Sequence, residues 1–345
     1  MQISSCFFRY LLLPFLIALC SGQIAFAAEI NVLSERQEFL FRPFLKSFEQ
    51  KTGIRVNVIY MKGGALERVL HRPGAIDLVF LGDVSSLVAL AEANLLQTHD
   101  SSYITKNIPE KFQSPEGLWT AITARARIFY YSRKTVGLDE LSSYEDLVKP
   151  QFKGRICIRS GYHPYNIGLL SSLIAHHGEN FVKSWLMGVK KNLARKPQGN
   201  DRSQIKAVAH GLCDIGIGNT YYAATTLERL GIEDEVGVFF PNQNLQGTHI
   251  NISGAGVTRH ARHKKDAVRL LEFLLKKASQ QKFSLYNHEY PVLPGVIFSK
   301  KVLDFGKEQT QVKNGVFKQD SLSLPKIGKF HKQALRLLDE TRFDY

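Results

Sequence analysis

The chain has 345 residues, 44% of them hydrophobic and 22% charged, with Gly 26 and Pro 12. That balance excludes a disordered, collagen-like or coiled-coil chain, and the length fits two lobes of about 100–200 residues each. Four cysteines exclude a disulfide scaffold, and a formal charge of +14 favours anionic ligands or surfaces without bearing on the fold.

The first 27 residues read as an address. Arg9 precedes an apolar run from Tyr10 to Cys20, and Ala25-Phe26-Ala27 has the small-x-small form of a cleavage site. A secretory signal peptide over 1–27 is expected, with a mature chain from Ala28 that carries no membrane span. A lipid anchor at Cys20 is the alternative, although bulky Leu19 stands where such sites want a small residue. Cys157 and Cys213 survive cleavage. An oxidising compartment permits a bridge between them, and two buried free thiols fit their apolar surroundings equally.

Residues 30–33 form a short apolar run. Phe41, Phe44, Leu45 and Phe48 then share one face of a helix that ends near Gly53. Residues 55–60 predict a strand, 65–70 a short helix behind the Gly63-Gly64 turn, and 76–81 a buried strand whose one polar residue is Asp77. Asp83 supplies an N-cap for an apolar helix over 84–96. This βαβα order predicts an α/β lobe with a largely parallel sheet. A strand over 125–131 leads out of that region, and the turn-rich connector 148–154 follows. The rhythm restarts with a strand at 155–158, helices over 167–176, 181–189 and 203–209, a strand at 214–218, a helix over 223–230 and a strand at 236–240. Residues 266–276 predict an amphipathic helix, and the tail ends in a helix around 332–339. The basic run from Arg259 to Lys265 reads as the solvated start of a helix rather than a nucleic-acid patch. Two α/β units behind an export signal point to a ligand site in a cleft between lobes.

No nucleophile elbow, phosphate loop or H-E-x-x-H motif occurs, so catalysis is not expected. Gly216-Ile217-Gly218 follows a strand, but Tyr221 stands where a dinucleotide turn needs its third glycine. Adjacent His176 and His177 diverge by about 100° on a helix and are expected on the solvated surface.

Asn219-Thr220-Tyr221-Tyr222 is the informative stretch. It follows a buried strand and opens a helix, so both phenols can face a cleft; half-buried packing is the alternative. A hard trivalent ion prefers anionic oxygen donors, and a bound cation drives phenols of pKa about 10 to ionise. Several phenolates converging in a cleft therefore select Fe(III) over divalent ions.

The stretch 211–222, ending in that tyrosine pair, resembles the signature segment of periplasmic ferric-ion-binding proteins, the substrate-binding subunits of iron ABC importers. The resemblance spans nearly the whole mature chain. It includes Ser34-Glu35-Arg36, 77–83, Ala124-Arg125-Ala126-Arg127, 144–147, 153–156, Tyr165-Asn166, Gly199-Asn200-Asp201, 251–256 and Glu289-Tyr290-Pro291. It implies an α/β fold of two lobes, the type II periplasmic-binding-protein fold, with a hinge of crossing strands and a central cleft. The lobes are expected over 28–125 plus about 252–302, and over 126–251 plus about 303–345.

By the same resemblance, Tyr221 and Tyr222 are the paired iron ligands and Tyr165 is the third tyrosine found in a subset of the family. Arg125 matches the arginine that holds carbonate or another small anion beside the metal. The chain departs from the pattern in the first lobe, where Gln37-Glu38 replaces the usual His or His-Tyr. Glu38 is the candidate carboxylate ligand there, with a solvated helix start as the alternative. Asp83 stands near the family's glutamate ligand and is expected to cap its helix instead. Arg127 is expected to pack or pair on the strand face opposite Arg125. Asn219, Asn200 and Ser160 are candidates for orienting ligands by hydrogen bonds. The implied protein is a monomeric periplasmic courier that captures Fe(III) and hands it to an inner-membrane ABC permease, with no nucleic-acid partner. A same-fold binder of a metal-free organic or inorganic anion is the alternative.

Overall fold

The computed structural model describes residues 28–345, so the signal-peptide and lipid-anchor readings lie outside the described residues. The first lobe follows the predicted rhythm: β1 (Glu29–Ser34), α1 (Glu38–Thr52), β2 (Arg55–Tyr60), α2 (Ala65–His71), β3 (Leu78–Leu81) and α3 (Val84–Glu92). Then come β4 (Leu96–Gln97), α4 (Ser102–Asn107) and the long β5 (Thr120–Ser132). β1 pairs in parallel with β2 and β3, as an α/β lobe requires. Phe41, Phe44, Leu45 and Phe48 form the buried face of α1. That helix stops at Gly53, whose φ of 71° suits glycine and lets its N–H donate to the Glu49 carbonyl at 2.8 Å. Asp83 caps α3 by accepting from the Ser86 amide at 3.1 Å, as expected.

The second lobe holds β6 (Ile156–Cys157), α5 (Pro164–His177), α6 (Glu179–Asn192), α7 (Asp201–Ala209), β7 (Ile215–Asn219), α8 (Thr220–Leu230) and β8 (Val236–Phe239). β9 (Ile250–Thr258) returns to the first lobe and is followed by α9 (Lys264–Leu275), α10 (Lys277–Asn287) and β10 (Tyr290–Pro291). The tail carries α11 (Lys300–Leu303), α12 (Leu324–Lys329) and α13 (His331–Thr341). α12 packs on both α3 and α5, so the tail touches both lobes. His176 and His177 part toward separate carboxylates, Asp320 at 2.8 Å and Glu145 at 2.7 Å. Among the described residues, no helix is long and apolar enough to cross a membrane.

The strand order β2-β1-β3-β9-β5-β7-β6 joins the lobes through β5. Up to Ala126 this strand pairs with β9; from Arg127 onward it pairs with β7, and then with β8 as well. It is buried along its whole length. Periodicity does not predict β9, because Ser253-Gly254-Ala255-Gly256 lacks the bulky residues that mark a strand. A Cβ on Gly254 would sit 2.8 Å from the Thr120 carbonyl oxygen, and one on Gly256 2.9 Å from that of Leu118. Glycine here permits the close approach of the two crossing strands.

α5 and α7 begin before their apolar periodicity does, because polar caps precede them. His163 accepts from the Tyr165 amide at 3.3 Å, and Asn200 accepts from the Ser203 amide at 3.1 Å. α8 likewise begins at Thr220. The result places Tyr165 in the first turn of α5, and Tyr221 and Tyr222 in the first turn of α8, the helix opening that the sequence leads one to expect for that pair.

Cys157 and Cys213 form a disulfide with Cα atoms 5.9 Å apart, tying β6 to the turn that enters β7. The sequence separation is 56, so the bond removes substantial freedom from the unfolded chain. Replacing both cysteines by serine is expected to cost about 2–4 kcal/mol, read as a lower urea midpoint. Reduction of the wild-type bond should shift the midpoint in the same direction.

Candidate metal centre

Tyr221 and Tyr222 open α8 directly after β7, and Tyr165 stands in the first turn of α5. Open α/β sheets place ligands at the carboxyl ends of their strands, and this is such a place. Tyr221 Oη donates to Tyr165 Oη at 2.9 Å, and the Tyr221 and Tyr222 ring centres are 4.3 Å apart. The structure therefore brings the three expected tyrosines together. All three line a cavity of about 640 Å³ between the lobes. Among the described residues, no three His, Cys, Asp or Glu side chains gather as a metal cage.

Positive charge surrounds these phenols. The guanidinium carbons of Arg125, Arg159 and Arg127 lie 5.2, 5.4 and 6.0 Å from the centre of the Tyr165 ring. Arg202 lies 4.6 Å over the Tyr222 ring. The N-termini of α5 and α8 add the positive ends of two helix dipoles. Tyr221 and Tyr222 nonetheless resist ionisation. Burial pushes Tyr221 well up, and charge on Tyr165 or Tyr222 would add to this against the pull of Arg125 and Arg36. Tyr222 is pushed up to about 12, first by burial and then by Tyr165 and Asp201. Without a cation the pair stays protonated at neutral pH.

Arg127 lies beside Arg125 rather than on the opposite strand face, which corrects the expectation: residues two apart on a strand share a face. Arg127 pairs with buried Asp201 at 2.8 Å, and Arg159 reaches the other oxygen of that carboxylate at 2.9 Å. Burial alone would raise the Asp201 carboxyl, but the charges of Arg127 and Arg159 outweigh it and hold it below the usual range. Asn166 and Asn219 accept further bonds from Arg127 at 2.6 and 3.1 Å. Arg125 is 2% exposed and has no carboxylate partner among the described residues. It donates to the Ser253 hydroxyl at 3.3 Å and to the Gly82 carbonyl.

Glu38 is not brought to the tyrosines. It pairs with Arg42 one turn along α1 at 2.8 Å, both side chains at least half exposed, and it lines neither cleft cavity. Glu35 lines both cavities instead. Burial pushes its carboxyl up to about 7, and the charge of Asp83 adds to the effect. An acidic residue at the carboxyl end of a buried strand was the available signal. Asn200 is spent on capping α7, and Ser160 donates to Asp344 at 2.5 Å, so of the three polar candidates only Asn219 joins the arginine network. Sequence reasoning also passed over Arg202 and His163. The His163 ring meets Tyr165 edge-on at 4.4 Å and is kept neutral, its pKa lowered to about 3 by burial and by the charge of Arg159.

The sequence profile of the family described as bacterial extracellular solute-binding protein matches residues 75–319. Iron uptake protein A1 of Synechocystis is 38% identical over 320 residues, covering 90% of this chain and 86% of that protein. The apo ferric ion-binding protein A of Pasteurella haemolytica is similar in structure, with a TM-score of 0.85, 39% identity and coverage of 92% of this chain and 99% of that one. A Trichodesmium protein (IdiA, FutA) in complex with iron and citrate ligands has a TM-score of 0.82 and 39% identity, covering 91% of this chain and 99% of that one. This chain belongs to the bacterial extracellular solute-binding proteins, within the branch of periplasmic ferric-ion-binding proteins.

Proposed function

We propose that this protein captures Fe(III) in the periplasm through the phenolates of Tyr165, Tyr221 and Tyr222 and delivers it to an inner-membrane ABC permease. The observation that carries this reading is the 2.9 Å contact between Tyr221 and Tyr165 beneath an arginine cluster. Phenols so placed lose their protons to a strong cation, and three phenolates balance a trivalent one. Softer ions want thiolate or imidazole, which do not gather here. The names of the similar proteins, one for iron uptake and one solved with iron and citrate, support the same cargo.

Arg125, a buried guanidinium without a carboxylate, seats carbonate or a comparable anion beside the metal. Glu35, in place of Glu38, supplies the first-lobe carboxyl that reaches the cleft. The two lobes, 28–125 plus about 252–302 and 126–251 plus about 303–345, close on the cargo about β5 and β9. The protein acts as a monomer and carries out no chemical conversion.

Fe(III) loading is expected to produce a visible tyrosinate-to-iron charge-transfer band. Tyr222→Phe should abolish or strongly shift it and weaken binding; an unchanged band with unchanged affinity would reject the ligand set.

The pH dependence has a definite sign. Phenols held protonated in the metal-free protein must release protons on binding, so affinity falls as pH falls. Raised Glu35, at about 7, steepens the loss below that pH. Calorimetry in buffers of differing ionisation enthalpy counts the protons. Release of about one per phenolate is expected, and no net release would contradict phenolate ligation.

A further inference from the structure

Across the cleft from the tyrosines stands a wall of different chemistry. Phe39, Leu40, Pro43 and Phe44 of α1 and Tyr286 of α10 line the same cavity. The two helices are locked together by Phe44 stacked on Phe283 at 3.8 Å and by Asn287 Nδ2 donating to the Leu40 carbonyl at 3.2 Å. Phe39 is nevertheless 64% exposed and Tyr286 73% exposed. Core packing explains neither ring. Neighbouring exposed apolar groups at the edge of a cavity mark a binding surface. Arg202 and Lys282 line the same cavity, and Glu35 is its one carboxyl.

This wall does not suit a bare ferric ion. Three phenolates and Glu35 leave about two of six positions for the anion beside Arg125, and those positions need oxygen donors that phenyl rings do not have. The volume, about 640 Å³, is that of a site for a small organic ligand, where one water takes only about 30 Å³. The ligand that satisfies both walls brings its own anionic oxygens to the metal and turns an apolar face to the rings. Its charge should be negative, to match Arg202 and Lys282.

Resting on the tyrosinate reading of the same cleft, we infer that the cargo enters as a ferric complex of one small aromatic catecholate, itself an anion. The catecholate ring lies against Phe39 and Tyr286, while the iron keeps positions open for the phenolates of the second lobe. An aliphatic hydroxy-acid such as citrate meets the cations equally well and leaves both rings uncovered. Aromatic contact is therefore what separates the two kinds of chelate.

The test titrates two probes by calorimetry: Fe(III) with one equivalent of a vicinal dihydroxybenzoate, and Fe(III)-citrate. Each is added to wild type and to the double variant Phe39→Gln, Tyr286→Gln. Both positions are exposed, so the fold should tolerate the change, and an unaltered thermal midpoint checks it. The dihydroxybenzoate complex is expected to bind the variant about tenfold more weakly, with the citrate complex changed less than about twofold. No change for either complex, or an equal loss for both, overturns the inference. If wild type binds Fe(III)-citrate with a tyrosinate band but ignores the dihydroxybenzoate complex, the aromatic cargo alone is rejected. If no tyrosinate band forms with any iron source, the phenolate reading itself falls.

Discussion

Two phenol oxygens 2.9 Å apart in a buried setting cannot both become anions unaided. The cleft is organised around that constraint. Arginines and helix N-termini supply a field that favours negative charge, but burial still holds Tyr222 at about 12. On the proposed reading, the remaining cost is met when a highly charged cation arrives between the rings. A less charged ion supplies less Coulomb energy across the same distances. In that proposal, preference for a trivalent metal follows from spacing and burial as much as from the identity of the donors.

The field in turn depends on Asp201. This fully buried carboxylate holds Arg127 and Arg159 by separate oxygens, so two guanidinium groups that would repel each other sit on the same tyrosine ring. Removing one partner from such a pair leaves an uncompensated buried charge, at about 3–5 kcal/mol. Asp201 also accepts from the Asn219 amide at 2.9 Å, one residue before α8 begins. The group that gathers the cations therefore also fixes the backbone from which Tyr221 and Tyr222 project. It stands in the first turn of α7, where the helix dipole favours its own charge.

Most of the fold was legible because its core elements carry strong periodicity. The buried face of α1 and the Asp83 cap of α3 stand where pattern places them. The capped helix starts were less legible: apolar periodicity begins two or three residues inside α5 and α7, since the cap and first turn are polar. β9 was hidden by its own requirement for close contact, which small residues meet and strand propensity does not register. At the site, the tyrosines were visible as residue types at the end of a buried strand. Glu35 and Arg202 were not, because a lone acid in a turn and a lone arginine in a helix look like solvated surface until folding sets them against a cleft. Glu38 was over-read for the converse reason: the partner that occupies it, Arg42, lies four residues away on the same exposed helix face.

The pivot explains why the two halves of the site differ in character. β5 changes partner between Ala126, opposite Ile250 of β9, and Arg127, opposite Asn219 of β7. Arg125 and Arg127 therefore sit at the junction of the two pairings. Arg127 is held there by its buried pair with Asp201, and Arg125 by bonds to Ser253 and the Gly82 carbonyl. Glu35, Gln37 and Phe39 line the cavity from the first lobe. A change in the buried half strands charge or leaves a polar group unpaired, at a cost that is a large share of a total stability of about 5–15 kcal/mol. A change on the exposed rim costs little stability and alters only the surface turned toward the cavity. The departure from the family pattern at Gln37-Glu38 falls on that rim, while the tyrosines and arginines that match the pattern lie in the half that packing constrains.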